Sequence, residues 1–307
     1  MQSTYSHDLV LVHSDSYANW ILRSGHPTQG RRFTNGRDAI LEKIGTTQFN
    51  ARVDIRAPRL ATRRELNLVH TSAYISEVLD DHRTNDWDGD NEMLAGLAQT
   101  FAGGTLVALD ALLQGETRLA VHLPGAKHHA QADHSSGFCV FADFAIAAKI
   151  CVERGMKVAI FDFDAHHGDG TENLCADDPN ILTFSVHQFS PAFFPGTGAS
   201  SDESRHVYNV PLPRGAGDAE LMPAVGQFLS LFYEFQPDIV FIAAGADGHF
   251  SDPLASLEFT PGGASLVASN IRNRFDGPIL MGGAGGYQPD DHTPEMWAST
   301  VAGLMGV

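Results

Sequence analysis

Residues 161–171, FDFDAHHGDGT, hold an unusual density of side chains that could bind a metal or move protons. Asp164 and His166 stand two positions apart after an apolar run, so both side chains reach one place if the backbone there is extended. Asp247, in AGADGHF, is the best placed third ligand. Alone, Asp164 would read as a helix cap and His166 as a structural polar residue, but the three together suit Zn²⁺ with an open coordination position. Fe²⁺ would also accept this oxygen and nitrogen set.

These residues follow short apolar runs, and the runs predict the elements that must position them. Continuous apolarity over strand length indicates strands buried on both faces, and it occurs at residues 118–123, 157–163, 181–186, 238–244 and 278–283. Helical patterns lie between them, at residues 94–115, 141–155 and 218–235. This alternation predicts an α/β fold, with a mostly parallel central sheet and helices on both faces. We expect one domain over residues 1–307.

The order of the runs also predicts where a site would lie. In an open parallel sheet, ligands bind beyond the carboxyl ends of the strands, where several loops converge. Histidine, aspartate or glycine follows each of the five predicted strands at that end. The acidic stretch 80–92 is the most irregular part of the chain, and we expect it to be a loop insertion.

The composition limits the partners. Lys and Arg total 20 against 37 for Asp and Glu, a net charge of −17, so we expect no nucleic-acid partner. Three cysteines without paired spacing are typical of a reducing compartment, so we expect a cytoplasmic location. The first residues lack the pattern of a signal peptide, and no run reaches about 18 apolar residues, so we expect no membrane partner. The oligomeric state stays open.

Five stretches, taken together, resemble the histone deacetylase-like family of the arginase/deacetylase fold, which includes acetylpolyamine amidohydrolases. They run in the family's order over roughly half of the chain, and His26 and Pro27 extend the likeness towards the N-terminus. The stretches are PGAKHHAQADHSSGFCVF (124–141), FDFDAHHGDGT (161–171), FFPGTG (193–198), GADGHFSDPLASL (245–257) and GGAGGY (282–287). The resemblance implies a Zn²⁺-dependent amidohydrolase that removes an acetyl or related acyl group from an amine such as acetyl-lysine.

The resemblance assigns roles to the motif residues. The implied metal ligands are Asp164, His166 and Asp247, and the implied catalytic residues are His128, His129, Tyr287, Asp162 and Asp169. On this pattern Asp162 supports the ring of His128, and Asp169 supports the ring of His129. We choose His129 as the proton shuttle and give His128 a mainly electrostatic role. Tyr287 would support the substrate carbonyl.

The resemblance also implies a substrate tunnel and a structural K⁺ ion. The implied substrate-binding residues are Phe138, Phe194, Gly137, Leu254 and Asp88, and the implied K⁺ ligands are Asp162 and Ser185. Phe138 and Phe194 would form facing walls around an alkyl chain, with Leu254 nearby. The carbonyl of Gly137 would accept a hydrogen bond from the substrate amide. Asp88 stands where relatives carry an aspartate at the tunnel rim.

Two positions depart from the family pattern. Ala142 replaces an asparagine that many relatives carry, while Asp143 after it remains, so we expect a local change in hydrogen bonding and no loss of catalysis. Lys127 stands directly before the histidine pair, in a segment that relatives often fill with glycine. A lysine there would lower the pKa of the histidines if it pointed inwards. We expect its side chain to be exposed.

Three other functions compete with an acetyl-lysine deacetylase. A deacetylase for acetylpolyamines or other small N-acyl amides would use the same residues. An arginase-type ureohydrolase needs a second metal with D-x-H-x-D and D-x-D spacing, but Asp169 is one position too late and residue 249 is His. A silent binder of acylated ligands would not need His128, His129 and Tyr287 together with the metal ligands.

Overall fold

A parallel sheet organises the protein. The computed structural model describes residues 5–47 and 50–307. The strands in these residues are β1 (Leu9–Val12), β2 (Val53–Arg56), β3 (Leu119–His122), β4 (Val158–Asp162), β5 (Ile181–Gln188), β6 (Val207–Leu212), β7 (Ile239–Ala243) and β8 (Ile279–Gly282). They form one sheet in the order β2-β1-β3-β8-β7-β4-β5-β6, and every neighbouring pair is parallel.

Helices connect the strands. They are α1 (Arg31–Gly45), α2 (Arg63–Leu66), α3 (Ser72–Leu79), α4 (Glu92–Leu113), α5 (Asp143–Val152), α6 (Asp169–Cys175), α7 (Asp218–Phe235), α8 (Pro261–Arg274) and α9 (His292–Met305). Short 3-10 helices cover Asp15–Asn19 and Glu203–Arg205. Every residue of β3, β4, β5, β7 and β8 is buried. Because successive side chains of a strand point to opposite faces, this burial shows that both faces of the sheet are covered there. The predicted fold class is confirmed.

The five predicted strands correspond to β3, β4, β5, β7 and β8. The pattern missed β1, β2 and β6. The first has only four apolar residues, and β2 lies at the sheet edge with no buried residue, so neither gives a long apolar signal. At the other edge, β6 alternates buried and partly exposed positions as one-sided strands do.

The predicted helices correspond to α4, α5 and α7, with ends shifted by a few residues at most. Gly115 and Gly155 follow the ends of α4 and α5 with φ of +69° and +78°, the left-handed conformation in which helices often stop. By length and composition α4 could cross a membrane, but 67% of its most apolar window is buried inside the protein. That burial is typical of a core helix.

The sheet order brings the loops of the motifs together. The strands β3, β8, β7, β4 and β5 are consecutive neighbours, so the loops after their carboxyl ends converge at one edge. Asp162 at the end of β4 lies in register with Ser185 of β5 and with Ala243 of β7. The chain segments of the five motif stretches therefore meet there.

Candidate active site

Two carboxylates and one imidazole converge beyond β4 and β7. One ligand atom each from Asp164, His166 and Asp247 lies within 4.8 Å of the others, and all three residues are buried. The Nδ1 atom of His166 lies 3.2 Å from Oδ1 of Asp164 and 2.9 Å from Oδ2 of Asp247. Backbone N–H groups orient the carboxylates, since Gly285 donates to Asp164 and Ala165 donates to Asp247. The three predicted metal ligands are therefore held in one place.

The charges of this triad fit a divalent cation. Asp164 and Asp247 are 1% and 0% exposed, and among the described residues neither forms an ion pair with Lys or Arg. Burial and the neighbouring Asp164 charge raise the pKa of Asp247 to about 6. Two buried carboxylates this close both stay ionised when a cation lies between them. Mixed carboxylate and imidazole donors are also the set that Zn²⁺ and Fe²⁺ accept.

The paired histidines are held by separate carboxylates. The ring centroids of His128 and His129 are 4.0 Å apart. Nδ1 of His128 lies 2.7 Å from Oδ2 of Asp162, and Nδ1 of His129 lies 2.6 Å from Oδ1 of Asp169. Since an ionised carboxylate only accepts, each Nδ1 carries a proton and each Nε2 is left for other partners. The geometry matches the supporting roles predicted for the two aspartates.

The two rings differ in their tendency to take a proton. Burial opposes charge on His128, but the carboxylates of Asp162 and Asp164 outweigh it and raise its pKa to about 9. Burial and the neighbouring His128 charge lower the pKa of His129 to about 4. The arrangement therefore makes His128 the more basic ring and His129 the less basic one.

A cavity of about 350 Å³ reaches these groups. Its lining residues are His129, Gly137, Phe138, His166, Phe194, Leu254 and Tyr287. They include one metal-ligand candidate, one histidine of the pair and four of the five predicted substrate-binding residues. Gly137 has φ +54°, and a Cβ there would lie 2.4 Å from Cδ2 of His129, so only glycine fits against the ring.

Tyr287 lies at the cavity as a neutral donor. Burial, followed by the charges of Asp247 and Asp164, raises the pKa of its phenol well above the ordinary value. The Tyr287 ring meets the ring of Phe138 edge-on, with centroids 6.1 Å apart. A protonated phenol at this position can donate a hydrogen bond to a bound ligand.

Asp88 is exposed and does not line the cavity. Its role at the tunnel rim stays a prediction. In the same loop, the carboxylate of Asp86 accepts a 3.0 Å hydrogen bond from the N–H of Phe138. The acidic loop thus contacts the cavity-lining residue Phe138 through a residue that the sequence reasoning did not select.

The predicted K⁺ ligands lie side by side. Asp162 and Ser185 line a small cavity of about 10 Å³, which is room for one water-sized particle. Oδ1 of Asp162 also accepts from the N–H of Asp164, and Oγ of Ser185 lies 2.9 Å from Nδ1 of His187. The identity of any ion there stays a prediction.

The expectation of an exposed Lys127 is wrong. The residue is 6% exposed, and its ammonium lies 5.8 Å and 5.4 Å from the ring centroids of Phe33 and Phe101. Burial lowers its pKa to about 8. The side chain turns inwards because two aromatic faces receive it there, a long-range contact that no local pattern predicts.

The change in hydrogen bonding expected at Ala142 stays a prediction. The N–H of Ala142 donates to Nε2 of His70 over 2.9 Å. The carboxylate of Asp143 accepts from the N–H groups of Ala126 and Lys127. It therefore fixes the turn directly before the histidine pair.

Three residues at the site were not predicted. The guanidinium of Arg32 in α1 donates to the carbonyls of Gly286 and Ala284, which flank the turn before Tyr287. Phe193 stacks on His166 at 4.9 Å and 10°. The carboxylate of Asp252 accepts from the N–H groups of Leu254 and Tyr287. Phe193 and Asp252 lie inside the motif stretches, which is a signal that could have selected them, but Arg32 has no local signal.

The parallel sheet, the buried Asp-His-Asp triad and the adjacent histidine pair define a protein of the arginase/deacetylase fold. A model of the histone deacetylase domain matches residues 26–304, and the chain belongs to this family. It is 33% identical over 272 residues to histone deacetylase 8 of Xenopus laevis, covering 81% of this chain and 82% of that protein.

Two further similarities span almost the whole chain. It is 30% identical over 324 residues to the acetoin utilization protein AcuC of Bacillus subtilis (strain 168), covering 98% of this chain and 83% of that protein. The crystal structure of the HDA15 HD domain superposes with a TM-score of 0.84 at 27% identity, over 98% of this chain and 90% of that one. These relationships support a deacetylase hydrolase.

Proposed function

We propose that this protein is a Zn²⁺-dependent deacetylase that hydrolyses N-acyl amides, with acetyl-lysine as the representative substrate. One observation carries the proposal: His166, His129 and Tyr287 line the same cavity as the predicted substrate-binding residues Gly137, Phe138, Phe194 and Leu254. A proton acceptor, a neutral hydrogen-bond donor and a metal-ligand candidate thus face the same space. Metal-assisted hydrolysis of an unactivated amide uses these three functions together.

The metal ligands in this proposal are Asp164, His166 and Asp247. Zn²⁺, or Fe²⁺ in its place, would supply Lewis acidity towards a substrate carbonyl and towards water. The charge of the triad supports this proposal, because burial and the Asp164 carboxylate already raise the pKa of Asp247 to about 6. The other groups of the site then have to position the substrate and move protons.

His129 acts in this proposal as the proton shuttle. Its Nδ1 donates to Asp169, which leaves Nε2 free to accept a proton from the attacking water and to return it to the leaving amine. The lowered pKa of about 4 keeps the ring neutral before the reaction. His128, with its raised pKa, stabilises negative charge near Asp164.

Tyr287 donates to the carbonyl oxygen as negative charge develops on it. A phenol whose pKa is raised by burial stays protonated and can donate throughout the reaction. One donor of this kind is worth about 2.7 to 4 kcal/mol of barrier in enzymes that use oxyanion stabilisation. Phe138 and Phe194 flank the alkyl chain, and the carbonyl of Gly137 accepts from the substrate amide.

The partner in this proposal is an acylated amine, and the net charge of −17 favours a cationic one. The name of the Xenopus laevis relative assigns a histone to that protein as substrate. An acetylpolyamine or another small acyl amide is the second candidate, supported by the acidic loop that contacts Phe138 through Asp86. Residues Gly168 and His249, where a ureohydrolase would carry second-metal carboxylates, disfavour guanidine hydrolysis.

K⁺ bound by Asp162 and Ser185 and a cytoplasmic location complete the proposal. The cavity of about 10 Å³ beside these two residues supports the ion site. Three cysteines that are all free and buried support a reducing compartment. We propose no nucleic-acid or membrane partner.

The test is a panel of acyl amides, each assayed with and without a chelator. It contains fluorogenic acetyl-lysine peptides, acetylputrescine, acetylspermidine and longer acyl amides. Turnover that chelator abolishes and added Zn²⁺ restores is the expected result, and the ranking identifies the substrate class. Turnover that ignores the chelator would remove the metal from the mechanism, and no turnover of any member by the Zn²⁺-loaded protein would favour a silent binder.

A further inference from the structure

The loop after β5 carries two aromatic side chains that face the reactive groups. Residues 189–200 contain neither helix nor strand. Even so, Phe193 stacks on His166 at 4.9 Å and 10°, and Phe194 meets the ring of His129 edge-on at 4.9 Å and 77°. A loop without a backbone ladder needs other contacts to hold two rings in place.

A hydrogen bond from an exposed hydroxyl to a buried ring provides one such contact. Nδ1 of His167 lies 2.8 Å from Oγ1 of Thr197, and its Nε2 lies 2.9 Å from Oε2 of Glu172. The Glu172 carboxylate accepts, so in the neutral ring Nε2 carries the proton and Nδ1 accepts from the Thr197 hydroxyl. His167 is 2% exposed, whereas Thr197 is exposed. The bond joins a surface loop to a buried group.

A second histidine holds the next residue of the loop. Nε2 of His187 lies 3.1 Å from the carbonyl oxygen of Gly198, which only accepts, so the ring donates there and its Nδ1 accepts from the Ser185 hydroxyl. Gly198 has φ +81°, and a Cβ at this position would lie 2.4 Å from Nε2 of His187. The absence of a side chain allows the loop backbone to approach the ring.

We propose that His167 and Thr197 anchor the loop of residues 189–200 and are positioning residues for the acyl chain of the substrate. This inference rests on the proposed function, because it assigns Phe194 to the substrate tunnel. The bond fixes the position of the aromatic wall relative to the reactive groups, since His167 directly follows the metal-ligand candidate His166.

The Nε2 atom of His167 links the loop anchor to the residues that hold His129. Glu172, which accepts from His167, belongs to α6, and the first residue of α6 is Asp169, the partner of His129. The side-chain amide of Asn209 in β6 also donates to Glu172 over 2.7 Å. Residues 166–172 therefore carry a metal-ligand candidate, the partner of the proton shuttle and the anchor of the loop.

Thr197→Val tests the anchor, because valine keeps the branched shape and removes the hydroxyl at an exposed position where folding tolerates the change. Thr197→Ser keeps the hydroxyl and should behave as wild type. Ser190→Ala is the matched control in the same loop, since among the described residues the Ser190 hydroxyl has no hydrogen-bond partner. Wild type and the three variants are compared as Zn²⁺-loaded full chains. The measurements are hydrogen exchange of the backbone amides in residues 189–200 and steady-state kinetics on an acetyl-lysine peptide.

Loss of one hydrogen bond should speed exchange in this loop about fivefold in Thr197→Val. KM should rise about threefold or more while kcat stays within about twofold, because the groups that act on the carbonyl are unchanged. Thr197→Ser and the Ser190→Ala control should leave the exchange rate and KM near the wild-type values. Exchange that is equal in wild type and Thr197→Val overturns the anchor, and faster exchange with unchanged KM overturns its role in positioning.

The proposed function and the anchor fail in different ways. If the wild-type protein turns over no acyl amide, the proposed function is lost, while the exchange comparison still decides whether the hydroxyl holds the loop. If wild type is active and Thr197→Val equals it in both measurements, only the anchor is lost.

Discussion

The Oδ2 atom of Asp252 accepts a 2.8 Å hydrogen bond from the backbone N–H of Tyr287. Its other oxygen accepts a 2.9 Å bond from the N–H of Leu254, so one buried carboxylate holds the backbone of two residues that line the cavity. Burial, followed by the charge of Asp247, raises the pKa of Asp252 to about 7. The position of Tyr287 therefore depends on a residue outside the cavity lining.

Asp252→Asn should lower kcat about tenfold or more with little change in metal content. Asparagine has one acceptor oxygen, so its NH₂ group would face one of the two N–H donors, and an unsatisfied buried donor costs about 1 to 3 kcal/mol. Steady-state kinetics and metal analysis measure the two effects. Asp218→Asn is the control, since Asp218 also accepts two hydrogen bonds from one residue, Thr260, but does not line the cavity. A kcat of Asp252→Asn within twofold of wild type would contradict the role of Asp252 in positioning Tyr287.

Tyr287→Phe should reduce kcat by about two to three orders of magnitude, because the change removes one donor to the developing oxyanion. Metal content and thermal stability should stay at the wild-type level, since the ring and its contact with Phe138 remain. Tyr233→Phe provides the matched control, as Tyr233 is 82% exposed. Normal turnover by Tyr287→Phe would remove the phenol from the mechanism.

Asp247→Asn should weaken metal binding by more than the about 10- to 100-fold typical of outer-shell changes. The substitution removes one of three ligands and one of two negative charges at the triad. Zinc per chain after dialysis against a defined free Zn²⁺ concentration measures the effect. Asp276→Asn, at a side chain that is 93% exposed, should retain the wild-type amount. Equal zinc in Asp247→Asn and wild type would refute the ligand assignment.

Phe194→Ala should raise KM for acyl substrates several-fold, with a smaller effect on kcat. The ring lines the cavity and is 46% exposed, so its removal costs the fold little but removes apolar contact with the alkyl chain, worth about 25 cal/mol per Å² of covered surface. Steady-state kinetics of Phe194→Ala on acetyl and longer acyl amides measure the rise in KM. Phe250→Ala, at a 66% exposed ring outside the cavity lining, should change neither constant. Unaltered kinetics in Phe194→Ala would remove the ring from the tunnel.

Stability should fall as the pH drops from about 6.5 towards 4, in part because of His70. This ring is 4% exposed, with Nδ1 donating to the carbonyl of Gln131 and Nε2 accepting from the N–H of Ala142. Burial lowers its pKa from 6.5 to about 4. Between these values the unfolded state binds the extra proton, so the free energy of unfolding decreases by about 1.4 kcal/mol per pH unit as the pH falls.

Urea unfolding of wild type and His70→Gln across this pH range isolates the contribution. Glutamine offers an acceptor to Ala142 but does not titrate. The stability advantage of wild type over the variant should shrink as the pH falls and stay constant above about pH 7. An advantage that is independent of pH from 4 to 7 would show that His70 is not held neutral.

The sequence predicted the centre of the sheet and the candidate site residues at its strand ends because those signals are local. Continuous apolar runs located β3, β4, β5, β7 and β8, since a strand buried on both faces has to be apolar throughout. The spacing of Asp164 and His166 after such a run indicated one metal site at a strand end. Edge strands escaped detection, because β2 exposes its residues and carries no such run.

The tertiary structure decided the contacts between distant segments. Asp247 lies beside Asp164 and His166 because β4 and β7 are neighbours in the sheet, and no local pattern specifies which strands pair. Lys127 turns inwards because aromatic rings from α1 and α4 receive its ammonium. Long-range packing alone chooses between such side-chain directions.

The loops of the site show the same difference between local sequence signals and long-range contacts. The sequence marked FFPGTG as a motif, but the hydrogen bond from Thr197 to His167 joins residues 30 positions apart, and Arg32 reaches Gly286 across 254 positions. Local sequence determines which groups are present and which segments are strands or helices. Only the folded chain determines which of those groups meet, because each meeting depends on the packing of elements that are far apart in the sequence.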